Sequence, residues 1–258
     1  MKDIPLLLIH GYPFDHSLWF STIASLGSKA KVIAPDLPGF GKEPVLKDKK
    51  PSLEAYADFL LTHLADNGME KVAVVGMSMG GYVALAFAEK HPSRVACLGL
   101  VSTQAAADSA ETKQGRKEMI QKIREGGPAV ASQAILPKLF ADQYAANPDL
   151  RQYAERGAER AGRDGLAWAL EAMAARPDRA RFLSSLECPV LVFHGSEDKI
   201  VPITKARAAA ELCQKPIFIE SSGSGHATPL EVPDQVANGL VRLIKACQES
   251  LSRENKPS

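Results

Sequence analysis

The segment Gly76-Met77-Ser78-Met79-Gly80-Gly81 constrains this chain more than any other feature. It follows the apolar run Val72–Val75, which reads as a short buried strand. A helical pattern from Gly80 to Lys90 follows it. Strand, tight turn and helix in that order place a serine on a sharp corner. The neighbouring glycines remove the Cβ atoms that would clash there. The serine then projects beside a helix N-terminus, whose free N–H groups favour a developing anion. A bare GxSxG arises by chance in roughly one chain in ten of this length at ordinary glycine frequencies. The strand–turn–helix context is what makes it informative.

The rest of the sequence alternates short apolar runs with amphipathic stretches. Strands are predicted at Leu6–Ile9, Lys31–Ala34, Val72–Val75, Cys97–Val101, Val190–Phe193 and Ile217–Ile219. Continuous apolar runs of this kind fit strands buried on both faces. Helical spacing covers Leu53–Asp66, Gly80–Lys90 and Gln235–Gln248. The pattern predicts an α/β fold with a mostly parallel, doubly wound sheet. Ligands of such sheets bind outside the carboxyl ends of the strands. The alternation breaks once, between Thr103 and Arg181, where no strand is predicted. Met119, Ile120 and Ile123, then Ile135, Leu136 and Leu139, have helical spacing there. We therefore expect a core of residues 1–102 and 182–251, with a helical lid, 103–181, inserted after a central strand. Residues 252–258 are expected to form a frayed polar tail.

Composition excludes several classes of function. A chain of 258 residues with 45% hydrophobic and 24% charged residues can bury a sizeable core. Its net charge of +1 gives no reason to expect nucleic acid or an anionic membrane as partner. No stretch approaches the roughly 20 apolar residues of a spanning helix. The run Ile4–Ile9 is broken by Pro5 and is too short for a signal peptide. The expected location is cytoplasmic. Cys97, Cys188, Cys213 and Cys247 are scattered and form no CxxC pair, which predicts free thiols and no metal site. Neither a GxGxxG after a strand nor a phosphate-binding loop is present, so no cofactor is expected.

Further blocks surround the serine segment. They are His10-Gly11-Tyr12-Pro13 with Trp19 downstream, Asp36-Leu37-Pro38-Gly39-Phe40-Gly41, His194-Gly195-Ser196-Glu197-Asp198 with Pro202, and Gly225-His226. With these blocks in this order over nearly its whole length, the chain resembles an α/β-hydrolase. The similarity is to the subgroup of carboxylesterases, enol-lactonases and cofactor-free haloperoxidase-perhydrolases. One departure is that the chain begins at the strand carrying His10-Gly11, without the two leading strands usual in the family. That makes Lys31–Ala34 an expected sheet edge, which a partner subunit of a homodimer could cover.

The resemblance implies Ser78 as nucleophile, His226 as base and Asp198 as orienting acid, in the chain order this fold uses. The residues themselves agree. Of six histidines, His63 and His91 fall on helices or a helix end and are expected to be exposed. His10 and His194 end strands and resemble structural histidines that brace loops. His226 follows the last strand, in a small flexible loop that can carry an imidazole over the serine. The acid should end a strand between serine and histidine. Ser102, Thr103 and Gln104 offer no carboxylate, whereas Glu197 and Asp198 follow Val190–Phe193. Asp198 matches the family position, and Glu197 is the second candidate. The oxyanion hole is expected from the backbone N–H groups of Met79 and, by resemblance, Tyr12.

Serine at this position disfavours haloalkane dehalogenase and epoxide hydrolase chemistry, in which an aspartate stands there. The expected substrate is a small apolar or aromatic carboxylic ester or lactone. Trp19, Leu136, Phe140 and Trp168 are candidate pocket residues. The charges of the expected lid nearly balance, and no basic residue stands out as a carboxylate clamp. Two alternatives stay open: cofactor-free perhydrolase or haloperoxidase chemistry, and a ligand sensor of the same fold with slow turnover.

Overall fold

The structure, a computed structural model, describes residues 4–254. Its sheet comprises β1 (Leu6–Ile9), β2 (Val32–Ile33), β3 (Val72–Met77), β4 (Val95–Val101), β5 (Val190–Gly195) and β6 (Pro216–Ser221). All neighbouring pairs are parallel, in the order β2-β1-β3-β4-β5-β6.

Successive strand residues point to opposite faces, and both faces are covered. Leu7, Ile9, Val74, Leu98 and Val192 join one core cluster. That cluster includes Leu60 of α2 (Leu53–Asp66) and Phe87 of α3 (Met79–Lys90). Leu6, Leu8, Val75, Cys97 and Phe193 join a second cluster. It includes Leu26 of α1 (Phe20–Leu26) and Leu240 of α11 (Pro233–Glu254). Each fully buried side chain of this size contributes about 1.5–3 kcal/mol. Two-sided burial is therefore why the strands read as unbroken apolar runs. The edges differ. β2 has two half-buried residues, and β6 alternates exposed and half-buried positions, leaving Phe218 partly exposed.

From β1 the chain passes to β2 on one side, then returns to the other side of β1 for β3. From there it proceeds in one direction to β6. The reversal lies between β1 and β3, which pair from Leu6↔Ala73 to Ile9↔Gly76. Connections on the two sides diverge at such a point and leave a crevice at the strand ends. The loops that open onto it carry His10-Gly11 and Ser78.

Between β4 and β5 lie α4 (Ala110–Gly126), α5 (Ala129–Leu139), α6 (Asp142–Ala145), α7 (Pro148–Ala175) and α8 (Ala180–Ser185), with no intervening strand. α7 opens with Pro148 at its first position and the Asn147 side chain accepting from the Asp149 amide. Gly162, at φ 64°, breaks it into two helical halves. The insertion is pinned to the core. The Trp168 ring lies 4.4 Å from that of Tyr56, Arg176 stacks 3.9 Å over Tyr82, and Arg160 pairs with Asp15 at 2.6 Å.

Two expected boundaries move. The limit at 181/182 falls inside α8, because Leu183 is buried against the core and carries the helix on. The expected tail from 252 is helical as far as Glu254, where α11 ends, and 255–258 lie outside the described residues. Among the described residues, no helix is long and apolar enough to cross a membrane, and Cys97, Cys188 and Cys213 form no disulfide.

Candidate active site

Ser78 sits where β3 ends and α3 begins, with φ 51° and ψ −113°. Such a conformation costs a non-glycine residue on the order of 1–3 kcal/mol and persists only where the surroundings enforce it. Here they do. The Ser78 amide donates to Val101 O at 2.9 Å. Its carbonyl accepts from the Gly81 amide at 2.9 Å and from Thr103 Oγ1 at 2.8 Å. The turn closes only because two side chains are missing. A Cβ on Gly76 would overlap the Gly80 carbonyl, and one on Gly80 would overlap the Ile9 carbonyl of β1.

His226 lies in the loop between β6 and α10 (Thr228–Glu231). Its Nε2 is 2.8 Å from Ser78 Oγ, and its Nδ1 is 2.7 Å from Asp198 Oδ2. Ser78 is half-buried, while His226 and Asp198 are buried. Asp198 follows β5, and its two oxygens are separately occupied. Oδ1 accepts from the Ile200 and Val201 amides, both at 2.8 Å. Oδ2 faces His226 and also His194 Nε2 at 3.1 Å. Burial works against ionisation of Asp198. The adjacent His226 and the hydrogen bonds from His194 and His226 outweigh it, holding the carboxyl well below the usual range. Glu197, the second candidate, is exposed.

Two amides complete the arrangement. Among the described residues, neither the Tyr12 nor the Met79 N–H has an acceptor. Met79 opens α3, where the first N–H groups have no partner within the helix. Tyr12 follows Gly11, and a Cβ on Gly11 would stand 3.3 Å from Ser78 Cβ, so this loop runs beside the serine. The Tyr12 phenol is buried without a hydrogen-bond partner, and burial raises its pKa well above the ordinary value. The structure thus brings together the serine, the histidine and the aspartate singled out from sequence, with two unpartnered amides on the loops beside the serine.

The other histidines divide as follows. His10 is buried, its Nε2 accepting from the Leu37 amide at 2.9 Å and its Nδ1 3.1 Å from the Gly11 carbonyl. Burial depresses its pKa from 6.5 to about 4. His194 Nε2 contacts Val201 O at 2.8 Å. His91, expected to be exposed, is instead half-buried, with Nε2 3.2 Å from Asp58. Among the described residues, one cluster has ligand atoms close enough for a cation: Asp15, His16 and Asp36. Its acceptors are already engaged by Arg160, Ser17, the His16 ring and backbone amides.

The four candidate pocket residues are all buried, and each belongs to a core cluster. Trp19 shares a cluster with Phe14 and Leu18 and is fully enclosed. Leu136 and Phe140 belong to the same cluster, and Trp168 packs on Tyr56 in the other. Sequence reasoning missed Glu231. Its carboxylate is buried beside the His226 loop, accepting from the Gly225 amide at 2.7 Å and the Ala141 amide at 3.2 Å. A glutamate on a helical turn, five residues after a histidine, carries no sign of burial in the sequence.

Comparison with known proteins agrees with this layout. A family model described as the alpha/beta hydrolase fold matches residues 4–233. A pimeloyl-[acyl-carrier protein] methyl ester esterase of Aromatoleum aromaticum is 28% identical, over 92% of this chain and 96% of its own length. The dihydrolipoyllysine-residue acetyltransferase component of the acetoin cleaving system of Pseudomonas putida is 31% identical over 93% of this chain, which spans only 63% of that longer protein. A thermophilic esterase from Thermogutta terrifontis, solved with malate bound, superposes with a TM-score of 0.90 at 33% identity. That superposition covers 95% of this chain and 91% of the esterase. The chain therefore belongs to the alpha/beta hydrolase fold family and is esterase-like within it.

Proposed function

We propose that this protein is a serine hydrolase that cleaves small apolar or aromatic carboxylic esters or lactones through an acyl-enzyme. The observation that carries the reading is the unbroken relay from Ser78 Oγ to His226 to Asp198, at 2.8 and 2.7 Å. Similarity to named esterases supports ester bonds as the target.

In this reading His226 Nε2 takes the Ser78 proton as Oγ bonds to the acyl carbon. The carbonyl oxygen becomes an oxyanion, held by the Met79 and Tyr12 amides. His226 then returns the proton to the departing alkoxide. Water, deprotonated by the same ring, attacks the acyl carbon; the bond to Ser78 Oγ breaks, His226 returns the proton to Oγ, and the acid leaves. Asp198 fixes the imidazole tautomer and stabilises its cation. The helices between β4 and β5 act as the lid, and Trp19, Leu136, Phe140 and Trp168 shape the apolar surroundings of the site.

The test compares wild type with Ser78→Ala, using a fluorophosphonate probe and a series of p-nitrophenyl esters. Wild type is expected to be labelled and to turn over. Ser78→Ala is expected to lose labelling and roughly 10⁴- to 10⁶-fold in kcat. A folded wild type that neither labels nor turns over esters would overturn the proposal.

A further inference from the structure

We propose that Glu231 is a positioning residue, whose buried carboxylate clamps the His226 loop to the inserted helices and so holds the imidazole over Ser78. This rests on the reading of His226 as the base.

The carboxylate joins two stretches of chain far apart in sequence. Glu231 Oε2 accepts from the Gly225 amide at 2.7 Å, immediately before His226. The same oxygen accepts from the Ala141 amide at 3.2 Å, just after α5. A second stitch runs between the same segments. The amides of His226 and Ala227 both donate to Leu139 O at 3.1 Å. Gly225 lies so close to this segment that a Cβ would overlap the Ala141 nitrogen. Moving the loop away from 139–141 or from Glu231 therefore breaks at least one of these bonds.

Glu231 also bears a cost that packing alone does not explain. It is 7% exposed, and its Oε1 is buried without a partner. Burying an acceptor without a donor is unfavourable, and an apolar side chain would avoid it. What an apolar side chain would lack is an acceptor for two inward-pointing amides that flank the base loop. A displacement of about 1 Å in a reacting group is enough to cost on the order of 100-fold in rate, so a clamp on this loop acts on turnover more than on substrate binding.

The variants are Glu231→Ala, Glu231→Gln and Glu231→Asp, with Ser78→Ala as the inactive control. The readouts are kcat and KM for a p-nitrophenyl ester and the downfield proton resonance of the His226 Nδ1–H···Asp198 bond. Glutamine keeps an acceptor oxygen at the right reach, whereas aspartate keeps the charge but falls short. Glu231→Ala and Glu231→Asp are expected to lower kcat about 10- to 100-fold with KM within about twofold, and to broaden or lose the resonance. Glu231→Gln is expected to stay within about threefold of wild type and to keep the resonance. If Glu231→Ala does not fold, the contrast between Gln and Asp still decides the matter. Wild-type kcat and resonance in Ala or Asp would overturn the proposal, and so would a Gln variant as impaired as Asp. The resonance does not depend on turnover. An inactive wild type that shows it would count against ester hydrolysis and leave the clamp to be judged by the resonance in the three variants.

Discussion

Replacing Asp198 by asparagine tests the relay most sharply, because the structure dictates which way the new amide must face. Asp198 Oδ1 accepts two backbone amides, Ile200 and Val201, each at 2.8 Å. An –NH₂ group there would point donors at donors. The oxygen of the new side-chain amide must therefore occupy the Oδ1 position, which leaves –NH₂ at the Oδ2 position, 2.7 Å from His226 Nδ1. A donor at that place forces Nδ1 to accept, and the ring proton moves to Nε2. Nε2 then faces Ser78 Oγ with a proton already attached and has no lone pair to receive another. The two backbone hydrogen bonds at this side chain are kept while the base is lost. The expected loss in kcat is about 10⁴-fold, as for the equivalent wrong-tautomer change in other serine enzymes. That is about 5 kcal/mol of transition-state stabilisation. KM should change little, because nothing that contacts bound substrate moves. The assay is steady-state hydrolysis of a p-nitrophenyl ester, with circular dichroism to establish the fold and Glu197→Gln as an exposed control expected to behave as wild type. Turnover of Asp198→Asn within tenfold of wild type would refute the reasoning, since His226 would then be oriented without Asp198.

Two further outcomes follow from the same geometry. Gly76→Ala drives a Cβ into the Gly80 carbonyl at the tightest point of the turn, with backbone on both sides and no flexible side chain to yield. Denaturant unfolding should show a loss of about 3 kcal/mol, at the upper end for overpacking, and a loss below about 1 kcal/mol would mean the turn relaxes. Acid should expose the burial of His10. Its folded pKa is depressed from 6.5 to about 4, so protons bind the unfolded chain more tightly. The stability it contributes is complete above pH 6.5 and is lost as pH falls through about 4, amounting to about 3 kcal/mol at roughly 1.4 kcal/mol per pH unit. Urea unfolding of wild type and His10→Gln between pH 7 and 4 should diverge by that order, and parallel curves would show that His10 is not the group responsible.

The sheet and the serine turn were legible in the order of the residues alone. Strands covered on both faces leave unbroken apolar runs such as Leu6–Ile9 and Val72–Val75, and a corner that tolerates no Cβ at two places leaves glycines at 76 and 80. Both are local demands, written in neighbouring residues. The order of Ser78, Asp198 and His226 was legible for the same reason, because each sits in the loop that follows a strand. Contacts across long separations emerged only in the folded chain. Glu197 is exposed, whereas the neighbouring Asp198 carboxylate is buried and shared among two histidines and two amides, a difference that two adjacent acidic residues do not reveal. The helix α8 runs across the expected limit at 181/182, with Leu183 buried against residues distant in sequence. Glu231 was invisible because its partners are Gly225 and, 90 positions away, Ala141. Periodicity records which face of an element is apolar, but it does not record which polar side chain that face will enclose. That is settled when the helices inserted after β4 close onto the loop that bears His226.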